Sequence, residues 1–249
     1  MSAIAPAIPE HWSPAPDALR GRTILVTGAG EGLGRATALL CASLGATVVL
    51  AGRTVAKLES LYDAIKAAGS PEPAIYPLNL AGASWNDYAE LAATLEREFG
   101  ALHGLVHCAA HFKGFAPLAG VEPKDWLETL QVNLTAPFSL THHCLPLLAK
   151  AGGSVVFVSD ASGRLGQAYS GAYGVSKFAL EGLMQVWALE LERDARVRVN
   201  SLDPGPMKTG LRKRGYADGS GEEPATAARA IAWLLVESRA SGEAFSLRR

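Results

Sequence analysis

Short apolar runs alternate along the chain with longer stretches of helical periodicity. The first run, residues 23–27, is rich in β-branched and apolar residues and leads into a glycine turn and a helix through residue 44. Further strands are expected at 46–51, 74–78, 104–108, 154–159, 196–202 and 243–247. Helices are expected at 55–68, 85–99, 124–149, 172–193 and 224–236. In the first of these, Leu58, Leu61 and Ile65 recur on one face and Gly69 ends the run. Pro137 is expected to bend the 124–149 helix.

This rhythm predicts an α/β fold. About seven strands form one doubly wound parallel sheet with helices on both faces. The strand ends carrying Gly28, Arg53, Asn79, Ala109, Ser159 and Pro204 then share the carboxyl edge, where such sheets bind ligands. One domain is expected over 21–249, preceded by an irregular, proline-bearing arm at 1–20 that packs on the body or on a partner chain. Residues 205–223, rich in Gly, Pro and charge, read as a mobile flap over the site.

Composition narrows the function classes. With 49% hydrophobic residues the chain can bury a large core, and a net charge of −1 gives no broad grip on nucleic acid or anionic lipid. No apolar run reaches the roughly 18 residues of a membrane helix. The three cysteines, Cys41, Cys108 and Cys144, are scattered, so reduced thiols in a cytoplasmic protein are expected. No metal site is expected. His107 and His111 straddle a strand end, and the adjacent His142 and His143 point apart on a helix.

Two motifs carry the chemistry. Thr27-Gly28-Ala29-Gly30-Glu31-Gly32-Leu33-Gly34 follows a strand and opens a helix. In that context, glycines let backbone N–H groups approach a pyrophosphate, and the helix N-terminus adds positive potential. Tyr173 and Lys177 lie four residues apart, one helical turn, so both project from one face. The ammonium favours phenolate and lowers the Tyr pKa from about 10, which fits proton transfer near neutral pH. The second strand ends in Gly52-Arg53, with no acid for ribose hydroxyls and a guanidinium suited to a 2′-phosphate. That favours NADP(H) over NAD(H). A solvated Arg at a strand end is the alternative, and Glu31 would repel the phosphate.

These residues resemble the short-chain dehydrogenase/reductase family, from about Leu19 onward. The glycine loop matches its TGxxxGxG, Tyr173 and Lys177 its YxxxK, and Asn133 its helix asparagine; 203–209 is similar to its PG…T segment. Within the family, the chain is most similar to a bacterial branch of largely uncharacterised oxidoreductases. The resemblance implies a Rossmann fold of NADP type and a small carbonyl or alcohol substrate. It implies a homodimer or homotetramer formed through the helices at 124–149 and 172–193. Tyr173 would be the acid/base, and Lys177 would tune it and hold the nicotinamide ribose. The Asn133 carbonyl would hold a water leading to Lys177, and Thr209 would bond the carboxamide. Cofactor contacts would come from Gly28, Gly30, Glu31, Gly32, Leu33, Gly34, Arg53, Asn79, Leu80, Ala109, Ala110, Tyr173, Lys177, Pro204 and Thr209.

The sequence also departs from the family. The usual Ser thirteen residues before the Tyr is Asp160. Ser159 should face away if the strand continues, while Ser162 is the substitute if the loop turns. The usual Asn-Ala-Gly is Cys108-Ala109-Ala110, which loses an amide tie between strands and adds a methyl beside the cofactor. An ionised Asp160 would repel a developing alkoxide and raise the Tyr173 pKa. A protonated Asp160, its pairing with Lys177 or its binding of a substrate group would each relieve this. The other outcome is a weakened or inactive nucleotide-binding or regulatory protein on the same fold.

Overall fold

The computed structural model describes residues 8–9, 12–192, 196–217 and 220–247. Its strands are β1 (Thr23–Thr27), β2 (Thr47–Gly52), β3 (Ala74–Pro77), β4 (Gly104–His107), β5 (Ser154–Val158), β6 (Arg198–Asp203) and β7 (Ala244–Ser246). Its helices are α1 (Gly32–Ser43), α2 (Val55–Ala67), α3 (Trp85–Phe99), α4 (Pro123–Leu130), α5 (Ala136–Ala151), α6 (Gly171–Leu191) and α7 (Pro224–Val236). The strands form one sheet in the order β3-β2-β1-β4-β5-β6-β7, and every pairing is parallel. Strand order reverses between β1 and β4, which opens a crevice at their carboxyl ends.

Consecutive residues of β1 serve opposite faces. Ile24 and Val26 pack in one core with α1, α2 and α7, while Leu25 packs in the other with α3, α5 and α6. A strand buried on both faces reads as an unbroken apolar run, which is why these strands are visible in sequence. Local signals set the helix ends. Around α3, Ser84 N–H donates to Asp87 Oδ2 (2.7 Å) and Asp87 N–H to Ser84 Oγ (3.4 Å), and Gly100 closes the helix at φ +71°.

The expected long helix at 124–149 is in fact broken. A π-helical turn, Gln131–Thr135, separates α4 from α5. Pro137 has no N–H to give the Asn133 carbonyl four residues back. Instead the Ala136 N–H reaches five residues back to Gln131 O. The distortion therefore falls one turn before the proline, on Asn133. Other element ends differ from expectation by one or two residues, as at β6, which starts at Arg198 rather than 196.

In the arm, Ile8 and Trp12 pack on the α1/α7 core, and Arg229 Nη2 donates to Trp12 O (2.5 Å). Residues 1–7 and 10–11 of the arm, Arg193 at the expected end of its helix, and 218–219 of the expected flap lie outside the described residues. The rest of 205–223 folds on itself: Lys208 N–H donates to Glu222 O and Glu222 N–H to Pro206 O, both 2.9 Å. Among the described residues no helix is long and apolar enough to cross a membrane.

Candidate active site

A cleft of about 330 Å³ opens over the β1/β4 switch point. Its floor is the glycine loop. Gly28 has φ +65°, and a Cβ there would lie 2.8 Å from Ala109 Cα; a Cβ on Gly34 would lie 2.2 Å from Gly28 O. These contacts leave no room for side chains, so the loop backbone itself forms the surface. Ala109 N–H donates to Thr27 Oγ1 (3.2 Å), which joins the loop after β4 to β1. Burial pushes the Cys108 thiol up to about 12, so it stays neutral.

Arg53, Asn79 and Leu80 border this cleft. Lys57, one helical turn further on, also borders it and is ion-paired with Glu31. That hydrogen bond holds the Glu31 carboxyl below its usual range, with Arg214 and Arg53 adding to the effect. The repulsion expected from Glu31 is therefore compensated by a cation the sequence reading missed. Thr209 Cγ2 would lie 3.2 Å from a Cβ on Gly32, which brings the 205–223 segment onto the loop. A pyrophosphate fits this cradle: a bare loop, a helix N-terminus without a side-chain cap at Glu31, and cations nearby.

Lys177 is 2% exposed, and its Nζ donates to Val158 O (2.7 Å). The same Nζ lies 5.5 Å from the centroid of the Tyr173 ring. Burial pulls the Lys177 pKa down to about 8, while Asp160, Glu181, Cys108 and Asp203 act to raise it. Asp160 caps the turn Ala161–Gly163, its Oδ1 accepting from Ser162 N–H (2.8 Å). Ser162 is buried, and its Oγ has no hydrogen-bond partner among the described residues. Ser159 borders the cleft as well, and its buried Oγ has no hydrogen-bond partner among the described residues.

Every expected site residue borders this one cleft except Asn133. Asn133 sits one layer behind, where its Oδ1 accepts from His111 N–H (2.6 Å) and its Nδ2 donates to His111 O (2.9 Å) and Ser176 Oγ (2.9 Å). It thereby ties the loop after β4 to α6. Among the described residues no three His, Cys, Asp or Glu side chains gather as metal ligands. His107 stacks on Phe157, and burial pulls its pKa down to about 3.

The buried lysine makes stability depend on pH. Its folded pKa lies below the ordinary 10.5, so between about 8 and 10.5 the unfolded chain binds more protons and stability rises with pH. Below that window the cost of burying the charge, roughly 2–4 kcal/mol, is present in full. Lys177→Met removes it. Urea unfolding without cofactor should show the variant's stability, relative to the parent, falling by that amount from pH 7 to pH 10.5. An unchanged difference would place the lysine in water.

A family model for short chain dehydrogenases matches residues 22–218. The chain is 39% identical over 207 residues to an uncharacterized oxidoreductase of Escherichia coli K12, YciK, covering 83% of this chain and 81% of the relative. It superposes on a short chain dehydrogenase from Pseudomonas syringae with a TM-score of 0.91 at 43% identity, over 95% and 99% of the two chains. A short chain dehydrogenase from Escherichia coli CFT073 in complex with NADPH gives 0.90 at 37%, over 95% and 100%. The chain therefore belongs to the short-chain dehydrogenase/reductase family, NAD(P)-dependent oxidoreductases acting on CH–OH and C=O groups.

Proposed function

We propose that this protein interconverts a small carbonyl compound and its alcohol with NADP(H), Tyr173 carrying the proton. When bound, the cofactor supplies or accepts hydride at its nicotinamide. The carrying observation is the buried Lys177 ammonium beside Tyr173, in the same cleft as the glycine loop. In reduction, Tyr173 O–H gives its proton to the substrate oxygen as hydride arrives at carbon. The Lys177 charge stabilises the phenolate left behind. Reprotonation runs through the Lys177 side and the Asn133 carbonyl that Pro137 cannot satisfy. Asp160 serves as a counter-charge that keeps Lys177 protonated near neutral pH, and the Ser162 hydroxyl is a free donor for the reacting oxygen.

Arg53, with Lys57 beside it and no acid at position 52, supports a 2′-phosphate and so NADP(H). Arg53→Ala should weaken NADPH binding roughly 10- to 100-fold, the loss of about 1.5–3 kcal/mol from a charged hydrogen bond, and leave NADH binding within a few fold. Titration by intrinsic fluorescence checks this. Equal losses for both cofactors would place Arg53 away from the phosphate. Self-association is supported by the exposed Phe138 of α5 and Phe178, Val186 and Leu189 of α6. The free thiols of Cys41, Cys108 and Cys144 fit a reducing, cytoplasmic setting.

The direct test is NADPH oxidation across a panel of ketones and aldehydes, with NADP⁺ reduction across the matching alcohols. Turnover that prefers the phosphorylated cofactor is expected. Tight NADPH binding without turnover of any member would instead leave a nucleotide-binding protein with an altered site.

A further inference from the structure

Four aromatic rings run in series from the proposed reacting group to the mouth of the cleft. Tyr173 lies 4.9 Å from Phe112, Phe112 lies 5.3 Å from Phe115 at 73°, and Phe115 lies 5.1 Å from Tyr216 at 90°. All four border the cleft. The two inner rings are covered or half-covered, whereas Phe115 and Tyr216 remain 44% and 40% exposed.

The arrangement is built rather than incidental. The Arg212 guanidinium lies 4.0 Å above the Tyr216 ring and is anchored by Nε to Ser220 O (2.6 Å) and Nη2 to Ser220 Oγ (3.1 Å). Arg214 Nη1 donates to Phe112 O (3.1 Å). Gly215 allows the closure: a Cβ there would lie 2.7 Å from Phe115 Cε2 and 2.8 Å from Phe112 Cε1. Both arginines thus hold the aromatic wall in place. Two large, partly exposed rings bordering the cleft present flat apolar surface to it.

We infer that the carbonyl or alcohol carbon of the substrate belongs to, or adjoins, a ring, with that ring lying against Phe115 and Tyr216. The inference rests on the reading that Tyr173 handles the reacting oxygen. A rigid ring gains edge-to-face contact with these side chains and loses little conformational freedom on binding, unlike a flexible chain of equal carbon count. The acidic side chain of Asp160 at the inner end works against an anionic group beside the reacting carbon.

The test compares 1-tetralone with 2-decanone, equal in carbon number, and with the linear anion acetoacetyl-coenzyme A, each with NADPH. Expected is a kcat/KM at least tenfold higher for the tetralone. Phe115→Ala should raise KM for the tetralone about tenfold and that for 2-decanone by clearly less; Tyr216→Leu is the second variant. Equal or reversed preference, or best turnover of the acyl thioester, overturns the ring assignment while leaving the oxidoreductase reading intact. If no ketone turns over, calorimetry of tetralone on the NADPH-loaded protein decides. Binding weakened by Phe115→Ala keeps the ring site and removes the catalytic reading, and no binding overturns the ring site.

Discussion

Tyr173→Phe is expected to lower turnover by about 10²- to 10⁴-fold, the contribution of a positioned acid/base, with NADPH affinity changed only a few fold. The reasoning is geometric. The Tyr173 ring packs against Phe112 and stands over the Lys177 ammonium, and a phenylalanine ring keeps both contacts. Only the hydroxyl is lost, and with it the proton that must reach the substrate oxygen. The cradle residues lie on other elements and do not feel the change. The loss should appear in kcat and kcat/KM alike, as for an interaction made only in the transition state. Steady-state rates and NADPH titration of both proteins check it. A variant within tenfold of the parent would move the proton donor elsewhere, and Asp160 and Ser162 are the groups nearest that task.

Much of this was legible in the sequence because it is local or periodic. Strands buried on both faces give runs such as Ile24-Leu25-Val26, and the glycine loop and the Tyr173/Lys177 pair are each contained within a few residues. The π-helical turn was not legible. One extra residue in a turn hardly disturbs a period of 3.6, so 124–149 reads as one helix although Pro137 signals trouble nearby. Pairings across the fold were equally hidden. Glu31 reads as a liability in sequence, whereas the fold pairs it with Lys57, 26 residues away. Spacing did hold a hint, since Lys57 follows Arg53 by one turn across the start of α2. The aromatic wall joins Phe112 and Phe115 to Tyr216 from a segment about a hundred residues later, and no periodicity connects the two.

The pair Arg164–Glu181 belongs to this hidden class, and breaking it carries the largest expected loss of stability at neutral pH. Glu181 follows Lys177 by one turn of α6, and its side chain is 7% exposed. Its Oε1 accepts from Arg164 Nε (3.1 Å) and its Oε2 from Ser201 Oγ (2.6 Å). Arg164 in turn donates from Nη2 to Phe245 O (2.7 Å). One carboxylate thus joins the loop after β5, which carries Asp160 and Ser162, to α6, β6 and β7. Glu181→Ala strands the guanidinium Nε and the Ser201 hydroxyl. Breaking a buried ion pair costs about 3–5 kcal/mol, and water reaching the 27%-exposed Arg164 reduces that to roughly 2–3 kcal/mol. Melting should fall by roughly 5–10 °C. Glu181→Gln, which keeps the volume and one acceptor, should fall between. The same loss removes a negative charge that helps keep Lys177 protonated, so the alkaline limb of kcat should move to lower pH in both variants. A parent-like melt together with an unmoved limb would mean that the carboxylate neither holds the loop nor reaches the lysine.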